Sequence, residues 1–337
     1  MTTSGRARPP VLVTGANGHL GHVLCKTLLE AGYRVRGSVR NLGDAEGCRD
    51  LASLGVELCQ LELENPEGWA EAVAGCEVVH AVAAPNLLHA KDPERTIVRP
   101  MVLGTQHLVA AAAAAGVRRI VATSTCATIG LRAPIERPLD ERDRAPEANL
   151  PYLRGKQLAE HSLFKACAAT GLELVTLHPT AMIGPGFIRP TPSLALFVSA
   201  NAGFLPPLPE LRFHLVDVRD VAIAHLEAMR RPPARGRYIL AGELLDRLRL
   251  LELLTELAPH CRTFRFAFPE HALPTLCGVD RLVSAVTRRP RQLTLDAVRD
   301  LRGLDQRVDP TRAVRELGLR FRAARASIAD TLTWLRR

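Results

Sequence analysis

Between Val11 and His178 the chain alternates short, β-branched apolar runs with stretches of helical period, and few folds tolerate that rhythm. The runs are Val11–Thr14, Arg34–Val39, Val56–Leu63, Val78–Ala83, Arg119–Ser124 and Leu172–His178; between them lie Leu20–Ala31, Trp69–Ala74, Glu94–Ala115 and Tyr152–Thr170. Such alternation predicts a parallel sheet with crossover helices on both faces, an α/β doubly wound fold of Rossmann type. After His178 the texture changes: Pro179, Pro185, Pro190, Pro192, Pro206, Pro207 and Pro209 cluster, and the periodicity is lost. The expected organisation is a disordered tail over 1–8 and a nucleotide-binding domain over 9–178. A segment near 213–240 returns to that domain, with a strand at Phe213–Val218. Residues 179–337 then form a smaller, mostly C-terminal and loop-rich substrate-binding region.

The first strand runs directly into TGANGHLG, Thr14 to Gly21, with Gly15, Gly18 and Gly21 at three-residue spacing. Glycines at a strand-to-helix turn let the backbone approach a pyrophosphate, and the helix start offers it unpaired N–H groups. A glycine trio alone is a tight turn; in the first βα unit of such a pattern it is a dinucleotide site formed by Gly15, Asn17, Gly18, His19, Leu20 and Gly21. The end of the second strand, YRVRGSVRN, has no carboxylate before Asp44 to hold ribose hydroxyls. Arg36 and Arg40 are the candidates to bind a 2′-phosphate, so NADP(H) is favoured over NAD(H). Glu62 and Leu63, ending the third strand, lie where an adenine contact is expected, although an acid capping a loop fits Glu62 as well.

Composition enters at YLRGK, Tyr152 to Lys156. The chain has 40 arginines, four lysines and three tyrosines. Chance alone places a Lys four residues after a Tyr about 4% of the time, so the spacing persuades only with company. On a helix the two side chains share a face. A nearby ammonium favours the phenolate and is expected to lower the phenol pKa towards working pH. The company is TSTCATIG, Thr123 to Gly130, at the end of the fifth strand, where carboxyl ends face the ligand crevice. Its hydroxyls are placed to hold a substrate oxygen near Tyr152, although Ser and Thr are also ordinary turn residues.

Together these features resemble the extended short-chain dehydrogenase/reductase family, within its dihydroflavonol-reductase-like branch. Further matching segments are VHAVAAP, DPERTIVRPMVLGTQHLVAAA, LHPTAMIGPG, LVDVRDVAIAHLEAM and SIADTLTWLRR, so the likeness spans nearly the whole chain. It implies a hydroxyl–Tyr–Lys triad moving a hydride between a nicotinamide cofactor and a carbonyl/alcohol pair. Tyr152 is then the acid/base, and Lys156 both tunes it and binds the nicotinamide ribose. Ala83 and Pro179 would line the cofactor. The family hydroxyl is usually the second serine of a pair, which here is Thr125, preceded by Ser124.

Other features carry less. Asp217 and Asp220 read as a helix N-cap with an acidic first turn, not as catalysts. Cys126 reads as packing, His19 and His22 as loop filling, and no metal-ligand spacing appears. The eight cysteines lack paired spacing, which fits a reducing cytoplasm. The N-terminus shows no signal sequence, and no run approaches a membrane span, so no membrane is expected. The formal charge of +9 is offset by 4% aromatics and scattered acids, so no nucleic-acid platform is expected, only a solvated surface favouring anions. Leu87, Leu88, Phe187, Leu194, Leu196, Phe197 and Phe204 are equally pocket wall or core. The leading expectation is an NADPH-dependent reductase of an apolar or aromatic ketone or aldehyde, monomeric or homodimeric. A nucleotide-sugar epimerase or dehydratase, a hydroxysteroid dehydrogenase and a non-catalytic NADP-binding regulator are the alternatives.

Overall fold

A computed structural model describes residues 9–87, 89–287 and 294–337. Strand β1 (Val11–Thr14) is apolar along its length and buried on both faces, as a parallel strand covered from both sides requires. It is followed by α1 (His19–Glu30), β2 (Val35–Val39), α2 (Ala45–Ser53), β3 (Glu57–Gln60), α3 (Trp69–Val73) and β4 (Val78–Ala81). Then come α4 (Arg99–Ala114, entered through a π-helical turn over Glu94–Val98), β5 (Arg119–Thr123), α5 (Pro151–Thr170) and β6 (Glu173–Pro179). The remaining elements are β7 (Ala181–Ile183), α6 (Ala195–Asn201), β8 (Arg212–Asp217), α7 (Val218–Arg230), β9 (Gly236–Leu240) and β10 (Leu244–Asp246). They end with α8 (Arg247–Leu257), α9 (Leu273–Thr287), α10 (Leu295–Leu301), α11 (Thr311–Leu317) and α12 (Ala324–Leu335).

The main sheet has the order β3-β2-β1-β4-β5-β6-β9, with every pairing parallel. Its direction of winding reverses between β1 and β4, the place where such sheets open a crevice. Period-2 alternation sorts β1 between two cores. Val11 and Val13 pack with α1, α7 and α11, and Leu12 packs with α3, α4 and α5. The Glu94–Ala114 stretch, 21 residues containing an 18-residue window of mean hydropathy 1.2, does reach the length and composition of a membrane span. Here Leu108, Val109 and Ala112 belong to the core beneath the sheet.

Three expectations are corrected. The strand that rejoins the main sheet is β9, whereas Phe213–Val218 falls largely in β8 of a second sheet, β10-β8-β7. A parallel neighbour for β6 must be reached through a crossover helix. Helix α7 is that crossover, so the strand after it joins and the one before it does not. The C-terminal region is helical, not loop-rich, because the dense prolines stop at Pro209 and LRLLELL beyond them has helical period. Phe187, Leu194 and Phe197 are buried there in a core shared by α6, α8 and α12. Helix α2 also lies outside the expected set, because AEGCRDLAS has too few apolar residues to show a period.

Arginine does more than decorate a solvated surface. Arg119 on β5 is fully buried, and its guanidinium donates to the carbonyls of Ala228, Arg231 and Pro232 at the end of α7, at 2.6, 2.7 and 3.0 Å. Glu173 pairs with it at 2.6 Å. Arg132 does the same for α10, donating to Arg299, Asp300 and Arg302 carbonyls. Helix ends leave carbonyls unpaired, and the five-donor fork of arginine can take several at once.

Candidate active site

The carboxyl ends of β1, β4, β5 and β6 open into one crevice of about 1460 Å³. On its cofactor side the turn after β1 is drawn tight. Gly15 has φ +67°, and a Cβ there would stand 2.9 Å from the Ala83 Cα. Thr14, which carried no signal in the sequence, holds the far wall: its Oγ1 accepts from the Val82 and Ala83 amides at 2.9 and 3.0 Å. Helix α1 begins at His19 with Gly18 as an uncapped N-cap and no acid in its first turn. The amides at its start therefore lack intrahelical acceptors and face an anion without local competition. Asn17, Gly18, Leu20 and Gly21 line this end of the crevice. His19 lines it too, but its ring is buried, edge-on to Phe187 at 5.3 Å, and burial lowers its pKa to about 4.

The two arginines at β2 separate. Arg40 is exposed at the strand's carboxyl end and lines the crevice beside Ser38, Val39 and Asn41. Arg36 does not reach that crevice. It is paired in register with Glu57 at the start of β3, bonding its carboxylate at 2.8 Å. Its guanidinium also caps the end of α3 through the carbonyls of Glu71, Ala72 and Ala74. Four residues of strand place it about 13 Å upstream of Arg40. The expectation that Arg36 binds phosphate is withdrawn. A cation the sequence reading missed, Arg189, comes instead from the far side of the crevice, 3.4 Å from Asp44, the N-cap of α2. Glu62, Leu63, Ala83 and Pro179 are all in the lining. Leu87 is as well, and Leu88 lies outside the described residues.

On the reaction side, α5 starts with Pro151 at its first turn and ends at Gly171 with φ +73°. Tyr152 and Lys156 both line the crevice. The Lys156 ammonium, buried, donates to the Thr123 carbonyl at 3.0 Å, and burial lowers its pKa to about 8 against the opposing charge of Glu160. The Tyr152 phenol is not lowered: burial pushes it up to about 12. An ordinary phenol, at 10.0, is already protonated at neutral pH, and burial only reinforces this.

The two candidate hydroxyls have different surroundings. Ser124 is buried and its Oγ donates to Glu160 at 2.5 Å. Thr125 is half-buried at the crevice and accepts only a 3.3 Å bond from the Ala127 amide. Glu160, Thr128, His178 and Arg237 form the buried polar layer beneath them; none was singled out from the sequence, where only their placement on already legible elements hinted at it. Burial disfavours the Glu160 carboxylate, but His178, the Ser124 and Thr128 hydroxyls and Arg237 hold it below the usual range. The N-terminus of α5 is fixed from the C-terminal region, where Asp300 accepts from the Leu150 amide at 2.7 Å and from Asn149 at 2.8 Å. Asp217 is an N-cap as expected, accepting from the Arg219 amide, and burial pushes the Cys126 thiol up.

A doubly wound parallel sheet whose strand ends open on an uncapped helix start, with Tyr152 and Lys156 in the same crevice, is the frame of a dinucleotide-dependent oxidoreductase. Residues 11–241 match the NAD dependent epimerase/dehydratase family, and the chain belongs to that family, among its extended short-chain dehydrogenase/reductase members. Its activity is NAD(P)-dependent. Cinnamoyl-CoA reductase 1 of Arabidopsis thaliana is 32% identical, covering 96% of this chain and 88% of that protein. Dihydroflavonol 4-reductase of Zea mays is 34% identical over 69% of this chain and 70% of its own. Among solved structures, gox2253 superposes with a TM-score of 0.83 at 28% identity, covering 98% of both chains. The yeast methylglyoxal/isovaleraldehyde reductase Gre2 complexed with NADPH superposes at 0.78 and 21%, covering 97% and 98%.

Proposed function

We propose that the chain is an NADPH-dependent reductase of a neutral, apolar or aromatic ketone or aldehyde. The observation that carries this reading is an apolar part of the crevice that Tyr152 also lines, made by Leu131, Met182, Phe213, Leu301 and Leu304. Among the described residues, the cations that line the crevice, Arg40, Lys91, Arg95, Lys156 and Arg189, are not part of that apolar set. Gln306, which also lines the crevice, donates its side-chain amide to the Gly130 carbonyl at 3.0 Å. Relatives named for dihydroflavonol reduction support an aromatic ketone.

The turn after β1 and the start of α1 would hold the pyrophosphate, and Arg40 the 2′-phosphate. When bound, the nicotinamide supplies a hydride to the carbonyl carbon. Tyr152 gives its phenolic proton to the carbonyl oxygen, and the Thr125 hydroxyl donates a hydrogen bond to the same oxygen. The Lys156 ammonium stabilises the phenolate left behind, which water reprotonates. A protonated phenol is the form this direction needs.

Two predictions test this reading. Titrated with NADPH and NADH at matched ionic strength, Arg40→Ala should lose about tenfold in NADPH affinity while NADH is unchanged. Arg36→Ala should leave the preference intact and lower the unfolding temperature; the reverse pattern would restore Arg36 as the phosphate ligand. The second concerns pH. Lys156 carries its charge below about 8, so the reduction rate should be flat from pH 6 to 7.5 and fall about tenfold per unit well above 8. A profile flat to pH 9.5 would remove Lys156 from that role.

A further inference from the structure

Helix α5 grips the hydroxyl segment at points the hydride chemistry does not call on. Tyr152, Lys156 and Glu160 follow one another at four-residue spacing and share one helix face. Lys156 holds the Thr123 carbonyl. Glu160, buried, accepts from the Ser124 hydroxyl at 2.5 Å and from the Thr128 hydroxyl at 2.8 Å through the same oxygen. Those two hydroxyls bracket Thr125. With the single Thr128 hydroxyl proton given to Glu160, the Thr125 carbonyl accepts from the Thr128 amide at 3.1 Å and lies 3.2 Å from His178 Nδ1. The Thr125 backbone is thus fixed through its neighbours while its side chain lines the crevice. A carboxylate in such surroundings needs a counter-charge, and Arg237 on β9 pairs with the other oxygen. The contacts run from helix through hydroxyl segment to sheet.

We propose that Glu160 is a positioning residue: through Ser124 and Thr128 it fixes Thr125 against Tyr152. Both groups that meet the substrate oxygen are then referenced to one rigid helix. This accounts for the serine preceding Thr125, whose hydroxyl serves Glu160 and not the substrate. The inference rests on the reading of Thr125 and Tyr152 as the reaction hydroxyls. A misplacement of about 1 Å at such a donor costs on the order of 10²-fold in rate.

The test uses the full chain, with Glu160→Gln alone and combined with Thr125→Val. Amide hydrogen exchange over 124–130 needs no substrate. It should quicken about tenfold in Glu160→Gln, with exchange in β1 and α1 unchanged, and an unchanged rate over 124–130 overturns the proposal. With 4-nitrobenzaldehyde as probe, Glu160→Gln should lower kcat about 10–100-fold while the NADPH Kd stays within twofold. In the Thr125→Val background the same change should cost less than threefold. Losses that multiply independently mean that Glu160 does not act through Thr125, and overturn the proposal. If the parent protein reduces no aldehyde, the carbonyl-reductase reading fails and the exchange result decides for Glu160 alone. If Glu160→Gln does not fold, Glu160→Leu/Arg237→Leu, which leaves no lone buried charge, is measured against the same outcomes.

Discussion

Tyr152→Phe should lose turnover by about 10²–10⁴-fold while binding NADPH within twofold of the parent protein. The substitution keeps the ring, which packs against a small cluster of Ala127, Leu150, Leu153 and Ala297. The fold and the crevice should therefore survive, and only the proton is removed. The cofactor side is built from other elements, the turn after β1 and the end of β2, so its affinity has no reason to move. Steady-state reduction of an aromatic aldehyde, run beside a fluorescence titration with NADPH, separates the two effects. Turnover within tenfold of the parent would place the donor elsewhere. Loss of turnover together with loss of binding would mean that the ring shapes the cofactor site, and the assignment would then need an active variant with its proton supplied in another way.

The second large effect concerns stability. Arg119→Met should lower the unfolding free energy by about 3–5 kcal/mol, the range for removing one partner of a buried ionic network. Methionine fills much of the volume but leaves the last carbonyls of α7 without donors in a buried place, at roughly 1–3 kcal/mol each where no water reaches. Glu173, less buried, can turn to solvent. A fall in melting temperature of about 4–7 °C is expected, read by calorimetry. Because α7 is the crossover that delivers β9 beside β6, the loss should loosen that edge first, with faster exchange in Gly236–Leu240 than in β1. A shift below 2 °C would show that the capping carbonyls find water once the guanidinium is gone. Exposed pairs such as Lys26–Glu30, both side chains more than half accessible, should contribute little by comparison.

Much of the fold was legible because its signals are local. β1 is VLVT followed at once by a glycine turn, and α5 is marked by its period, by Pro151 at the start and by Gly171 beyond the end. Each of these features is encoded within one or two turns of chain. Helix α2 gave no such signal, since its stability comes from the Asp44 cap and from burying Cys48 and Leu51 against a core assembled elsewhere. The apolar residues after β6 were readable as buried but not as core or wall. Phe187, Leu194 and Phe197 became core, and the wall came from Leu131, Phe213, Leu301 and Leu304, spread over more than 170 residues.

The sequence alone determined the parallel sheet, the glycine turn after β1 and the placing of Tyr152 and Lys156 one turn apart on α5, because strand period, turn chemistry and helical spacing act between near neighbours. The tertiary structure alone decided which arginine lines the crevice and which hydroxyl Glu160 engages. Arg36 and Arg40 lie on the same short strand, and only the register with Glu57 and the end of α3 turns the first into a helix cap. Ser124 and Thr125 are chemically near-equivalent in the sequence. They are separated by a carboxylate 36 residues away, brought within 2.5 Å of one of them by helix packing. Long-range contacts of this kind leave no periodic trace in the chain, so their outcome is fixed only when the layers close.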